Sequence, residues 1–342
     1  MKKFIKNIVL FFSVYLALSG GLKLITPYYV NNHWLAPKFH YIKEAKQNPN
    51  TVFLGSSRIY RHVIPSLYDS LVQNANSFNL GAPSTFSPQT YYLLENIIHD
   101  KQFDSLKYCF IELTGVDSIS GHLLHQPQAN YWLSPEYFMF SMSAIIGNPY
   151  LSYRSRALIS KNYTLSFLDN ILNLGHYKDI ILKRKAYFRL SNTKNKGFLS
   201  LDDVLKNATS QEVKEKFMER KMSIEQNPEL LNKRAKAILS AHQLKQKKIN
   251  QVHLKKINEL IDKCQSENVQ LIFVLLPKYY SLEAISLISA IPKENVIDLS
   301  NPAEYPEFYT KKYSFDIGHL NYKGARRLTR TLAIKFNEIK NE

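Results

Sequence analysis

Two short stretches of the 342-residue chain hold side chains whose types and spacing fit acyl-ester chemistry. In "FDIGHLNYKGA", Asp316 and His319 stand three residues apart. On one turn, a carboxylate and an imidazole so spaced meet directly. That contact fixes the ring's tautomer and favours the imidazolium formed when the other nitrogen takes a proton. The pair lacks a nucleophile, and "TVFLGSSRIYRH", residues 51–62, offers one. There an apolar run stops at Gly55-Ser56-Ser57 and a helix-like stretch follows, so Ser57 falls at a rigid strand end and a helix start, where free amides stabilise negative charge. The expected roles are Ser57 as nucleophile, His319 as general base and Asp316 as the group that orients the base. Ser56 is the alternative nucleophile and Asp298 the alternative acid. The Ser57 amide is the first expected oxyanion donor, and Gly81, with no side chain to obstruct it, brings a second.

These residues need a frame that converges on them. Five apolar runs have strand character, beginning near Thr51, Ser77, Lys107, Val269 and Asn295, and helix-like stretches lie around 65–73, 88–99, 254–267 and 322–339. Near-continuous apolar strands alternating with helices predict a parallel sheet covered on both faces, with ligands beyond the carboxyl ends of the strands. Gly55-Ser56-Ser57, Asn79-Leu80-Gly81 and Thr114-Gly115 all fall at such ends. The rhythm breaks between 118 and 253. There "HQPQANYWLSPEYFMF" precedes Lys/Arg-rich segments of helical composition, which predicts a helical, basic insertion between the third and fourth strands. The expected organisation is an N-terminal apolar segment at 1–30, a linker with a short helix at 31–48, core at 49–117, insertion at 118–253 and core again at 254–342.

With Gly55-Ser56-Ser57 in the place of Gly-Asp-Ser, the Asn79-Leu80-Gly81 block, and Asp316-x-x-His319 followed by "LNYKGA", the chain resembles the SGNH/GDSL hydrolase superfamily. Within it the likeness is to the membrane-anchored cell-envelope branch, which includes the alginate acetylation proteins and the D-alanylation protein of teichoic acids. The resemblance covers roughly 50–117 and 254–338 and implies a three-layer α/β/α, flavodoxin-like fold. It implies a Ser57-His319-Asp316 triad, the Gly81 amide as second oxyanion donor, and no cofactor. The family's third donor is an asparagine after the third strand. Here "TGVDS" puts Asp117 in that place, and an ionised carboxylate donates nothing, so either Asp117 points elsewhere, another donor such as Asn79 substitutes, or the site is weaker than a typical esterase. Serine at position 56 is known in the envelope branch. The resemblance further implies an extracytoplasmic esterase or O-acyltransferase acting on acyl esters, acetyl first among them, of an envelope glycan, with a membrane-bound O-acyltransferase as partner. The contrasting expectation is a catalytically silent module that binds an envelope polysaccharide or a partner protein.

The remaining signals are broader. The formal charge is +17, concentrated in the middle of the chain, which fits solvated Lys-rich helices or an anionic surface. No zinc-finger spacing, RNA-binding signature or basic region leading into heptads supports nucleic acid. Lys2, Lys3 and Lys6 precede "NIVLFFSVYLALSGGLKLITPYYV", which predicts a retained anchor, or else a signal peptide ending near "ALSGG", with the rest of the chain outside the cytoplasm. Arg58, Lys278 and Tyr279 are the expected substrate contacts at the active edge. Arg61 and His62 follow on the same putative helix. His122 and His125 lack a third metal ligand nearby. Cys109 and Cys264 flank core strands, and buried free thiols are expected rather than a disulfide. The aromatic cluster Tyr131, Trp132, Tyr137, Phe138 and Phe140 is expected to pack the insertion onto its host.

Overall fold

The computed structural model describes residues 1–29, 32–119, 121–124, 131–172 and 195–341. Its centre is a five-stranded, all-parallel sheet of β1 Thr51–Leu54, β2 Ser77–Asn79, β3 Tyr108–Glu112, β4 Gln270–Leu275 and β5 Val296–Asp298, in the order β2-β1-β3-β4-β5. Each strand begins at the first or second residue of its expected run. Such runs are apolar on both faces because both are covered.

The register shows how the faces divide. Phe53 pairs with Phe110, and Phe110 with Ile272, so these three share one face. Tyr68, from α4 Pro65–Asp69, and Phe336, from the C-terminal helix Tyr322–Asn341, close on that face, with Phe53–Tyr68, Phe53–Phe110 and Phe110–Phe336 centroids 5.0, 5.0 and 5.2 Å apart. Phe273 points the other way, where Tyr91 of α5 Gln89–Ile97 meets it edge-on at 6.3 Å. The sheet is thus sandwiched between helices.

Ahead of the sheet run α1 Lys2–Ile25 and α2 Ala36–Glu44, and α3 Ser57–His62 follows β1. Among the described residues, α1 is one helix long and apolar enough to cross a membrane, and most of its side chains are exposed. The short helix expected within 31–48 is α2, and it packs on the core. Leu35, Phe39 and Ile42 form an i, i+4, i+7 stripe that is fully buried, and Tyr29 stacks on Phe39 at 4.2 Å. The chain therefore passes from α1 into the core with almost no slack.

Among the described residues, the elements of the insertion between β3 and β4 are all helices. It comprises α6 Gly121–Leu124, α7 Pro135–Gly147, α8 Tyr153–Leu172, α9 Leu201–Lys206, α10 Gln211–Gln226 and α11 Glu229–His242, before α12 Gln251–Ser266 leads into β4. After β4 come α13 Leu282–Leu287 and, last, α14 Tyr322–Asn341. Trp132 and Tyr137 are buried, so the aromatic stretch packs the insertion onto the core as expected. The join is polar as well: the Glu283 carboxylate of α13 accepts from Val116 N–H, Asn148 Nδ2, Asn250 Nδ2 and His253 Nδ1 at 2.6–3.0 Å. Cys109 and Cys264 are buried free thiols.

Candidate active site

In the order β2-β1-β3-β4-β5 the connections reverse direction between β1 and β3, which opens a crevice at their carboxyl ends. Ser57 is the first residue of α3 and lies at that point. The turn before it is close-packed. A Cβ on Gly55 would come within 2.5 Å of Ile59 Cγ1 and 2.7 Å of Glu112 Cβ, so only glycine fits. The Ser56 side chain caps α3 by accepting from Arg58 N–H. Ser56 is fully buried, which gives it the cap and leaves the accessible hydroxyl to Ser57.

The loop before α14 brings the other two groups. Ser57 Oγ lies 2.9 Å from His319 Nε2, and His319 Nδ1 lies 3.0 Å from Asp316 Oδ1. Asp316 Oδ1 also accepts from Gly318 N–H at 2.7 Å and His319 N–H at 2.8 Å. Burial works to raise this carboxyl. The His319 hydrogen bond, the charges of His319 and Arg220 and the Gly318 amide outweigh it and hold Asp316 well below the usual carboxylate range. An ionised Asp316 accepts only, so the proton of His319 resides on Nδ1 and Nε2 is free to accept from the Ser57 hydroxyl. Burial pulls His319 down, Asp316 opposes by hydrogen bond and charge, and Arg220 and Arg58 reinforce the fall. The net result is below the ordinary 6.5, so the ring is a neutral base at pH 7.

Two buried groups, Lys278 and His62, and the half-exposed Arg220 hold this loop. Lys278 is 2% exposed, and its ammonium donates to Ser314 Oγ at 2.6 Å, Asp316 O at 2.9 Å and His319 O at 3.3 Å. Burial lowers it to about 7. It therefore braces the Asp/His loop, a correction to its expected role as a substrate contact. The buried His62 accepts from Leu320 N–H through Nε2 at 3.0 Å, just beyond the base. Arg220, from α10 of the insertion, donates to Asp316 Oδ2, and its Nη2 lies 3.1 Å from His319 Nδ1. Arg61 also turns inward, to Leu199 O.

Arg220 gives a direct test of how far the insertion takes part. Arg220→Met removes a cation that depresses both His319 and Asp316, so both pKa values rise. Because the base must be neutral to act, the acid limb of the kcat/KM profile moves to higher pH. Below neutral pH the variant is expected to lose about tenfold in activity, with a smaller loss at pH 8. Matched pH–rate profiles check this. A uniform loss with an unmoved limb would assign Arg220 to folding alone.

The expected oxyanion donors are arranged differently from the sequence reading. Ser57 N–H, at the first helical position, has no acceptor within α3. Gly81 N–H instead donates to Asn79 Oδ1 at 2.9 Å, and Asn79 Nδ2 donates to Ile59 O and Val63 O, both at 2.8 Å. Both groups are engaged in closing the β2 loop onto α3. Gly81 is required there because a Cβ would lie 2.5 Å from Tyr60 N. The buried Lys38 of α2 braces the same loop through Asn79 O and Gly81 O, at 2.9 and 2.6 Å.

Arg58 stands nearer the expected position. Its Nε donates to the fully buried Glu112, its guanidinium lies 4.3 Å from the Tyr279 ring centroid, and its buried Nη2 has no hydrogen-bond partner among the described residues. Arg58 and Tyr279 line a cavity of about 360 Å³ together with Phe86, Asp117, Ser118 and Tyr150. Burial, reinforced by Glu283, raises the Asp117 carboxyl. Asp298 belongs elsewhere, accepting from Ser300 and lying 3.7 Å from His242. His125 and the side chain of His122 lie outside the described residues, among which no group of three or more metal-ligating side chains gathers.

Glu112 carried a readable signal, since an ionisable residue inside an apolar strand must be paired. Arg220 carried none. No family model, curated protein or solved structure matches this chain.

Proposed function

We propose that the protein is a serine esterase or O-acyltransferase of SGNH type, acting on acyl esters of a cell-envelope glycan. The observation that carries this reading is the hydrogen-bonded chain Ser57 Oγ, His319 Nε2, His319 Nδ1, Asp316 Oδ1, assembled from segments 262 residues apart in sequence. Ser57 Oγ attacks the ester carbonyl while His319 Nε2 takes its proton and Asp316 stabilises the imidazolium. Ser57 N–H meets the oxyanion. The tetrahedral intermediate collapses, the alcohol leaves with the proton from His319, and an acyl-Ser57 remains. Water or a sugar hydroxyl, deprotonated by His319, then attacks the acyl group and releases Ser57. The cavity beside Arg58 suits an acceptor sugar, with the Phe86 and Tyr279 rings for its apolar face and Asp117 for its hydroxyls.

On this reading α1 is a retained anchor, the main domain lies outside the cytoplasm, and a membrane-bound O-acyltransferase supplies the acyl group. A second reading, a silent glycan-binding module, is favoured by the engaged donors of Gly81 and Asn79 and by the carboxylate at Asp117. Labelling of the full chain with a fluorophosphonate separates the two. Stoichiometric modification that is lost in Ser57→Ala supports the enzyme. An unlabelled wild type that still binds envelope polysaccharide supports the module.

A further inference from the structure

The outer face of α8 carries Leu158, Leu165, Leu168 and Leu172, spaced 7, 3 and 4 residues apart and 44–59% exposed. Tyr163, Ser166 and Asn170 fill the inner face. On the neighbouring α7, Met139 and Ile146 are 62% and 60% exposed. Past Lys161, Leu165, Leu168 and Leu172 form an unbroken apolar patch on the last turns of α8, and an exposed patch of this kind marks a surface with a partner.

The position of α1 identifies that partner. Tyr15 donates to Leu172 O, and Ser19 Oγ donates to Ile171 O at 3.3 Å. Ser19 and Tyr15 precede the end of α1 by about 9 and about 15 Å of helix. Half of a bilayer's hydrocarbon core is about 15 Å. If α1 spans, the last turn of α8 is submerged beside it. The short, packed path from α1 into the core leaves no slack to lift the hairpin away, because Tyr28 is tied to Asp100 at 3.0 Å and Tyr29 is stacked on Phe39. Lys161 lies about 16 Å of helix back from Leu172, at headgroup level when α8 rises along α1. Arg154 lies further out, and both are exposed on the same face. Asp169, on the flank of the stripe, is half-buried and has a partner.

We propose that the α7–α8 hairpin is seated in the outer leaflet of a lipid bilayer beside α1, with Leu165, Leu168 and Leu172 in the hydrocarbon and Lys161 and Arg154 against anionic headgroups. The seating holds the rest of the domain at a fixed height and orientation over the membrane. It rests on α1 being a retained anchor and is independent of the chemistry at Ser57.

The test uses the full chain in lipid nanodiscs, with an NBD fluorophore on Leu168→Cys, on Val14→Cys in α1, or on Lys206→Cys. All three positions are exposed, so the label displaces no core group, and Cys109 and Cys264 are buried. Lipids brominated on the acyl chains are expected to quench the labels at 168 and 14 at least twofold and to leave 206 unchanged. Quenching at 14 alone keeps the anchor and overturns the hairpin's seating. In that case, concentration-dependent excimer emission from pyrene at 168 would assign the stripe to a second copy of the chain. Quenching at 168 alone overturns the anchor and with it the seating beside α1, and quenching at neither overturns both.

Discussion

Ser57→Ala is expected to lower ester turnover by about 10⁴-fold to 10⁶-fold, with His319→Ala equally damaging and the double variant no worse than either alone. The non-additivity is the informative part. Ser57 Oγ and His319 Nε2 share one proton across 2.9 Å, so removing either abolishes the same step. Asp316→Asn should cost about 10⁴-fold for a different reason. A neutral amide no longer requires the imidazole proton at Nδ1, and the ring can adopt the tautomer that donates from Nε2 toward Ser57. Wild-type kcat/KM should fall in acid only below pH 6.5, because burial sets His319 below its ordinary value. The measurement is p-nitrophenyl acetate hydrolysis by the full chain and its four variants, with stopped-flow detection of an acyl-enzyme burst. Equal rates in wild type and Ser57→Ala would remove the serine mechanism and leave the binding-module reading in its place.

The legible part of this architecture was the part written locally. Each strand is an apolar run ended by Gly, Asn or Pro, and the strand ends could be read as the functional edge because parallel sheets gather their loops there. Asp316 and His319 were legible for the same reason, being three residues apart on one turn. What could not be read were contacts whose partners are distant. Lys278 follows a strand and a proline, where a cation looks like a surface group, until the 314–319 loop folds over it. Gly81 and Asn79 occupy the expected block, yet the Asn79 side chain faces α3, and no local pattern fixes that rotamer. Arg220 is one cation among many on an exposed helix. Only the packing of α10 over the 311–319 segment, seen in Phe217 against Phe315 and in Lys311 donating to Glu225 O, selects it.

Glu283→Ala should be among the most destabilising single changes in the chain. The carboxylate is 2% exposed and accepts four hydrogen bonds, joining the loop after β3, the end of α7 and the start of α12. His253 passes the contact on through Nε2, which accepts from the Tyr91 hydroxyl at 2.7 Å, so the network reaches the helix covering the sheet. Truncation leaves those donors buried without acceptors, and losing one partner from such a network costs about 3–5 kcal/mol. For a chain of this size that corresponds to a melting point lower by about 4–8 °C. Glu283→Gln keeps the shape and one acceptor oxygen but turns an amide toward donors, so an intermediate loss is expected. Differential scanning calorimetry gives the magnitude, and limited proteolysis gives the location, because the first cleavages should move into 118–250 as the insertion works loose. A Glu283→Ala protein melting within about 2 °C of wild type would mean that the aromatic packing around Trp132 and Tyr137 holds the insertion without this carboxylate. The loop carrying Asp117 forms one wall of the cavity beside Arg58, so a loosened join should also raise KM before it lowers kcat.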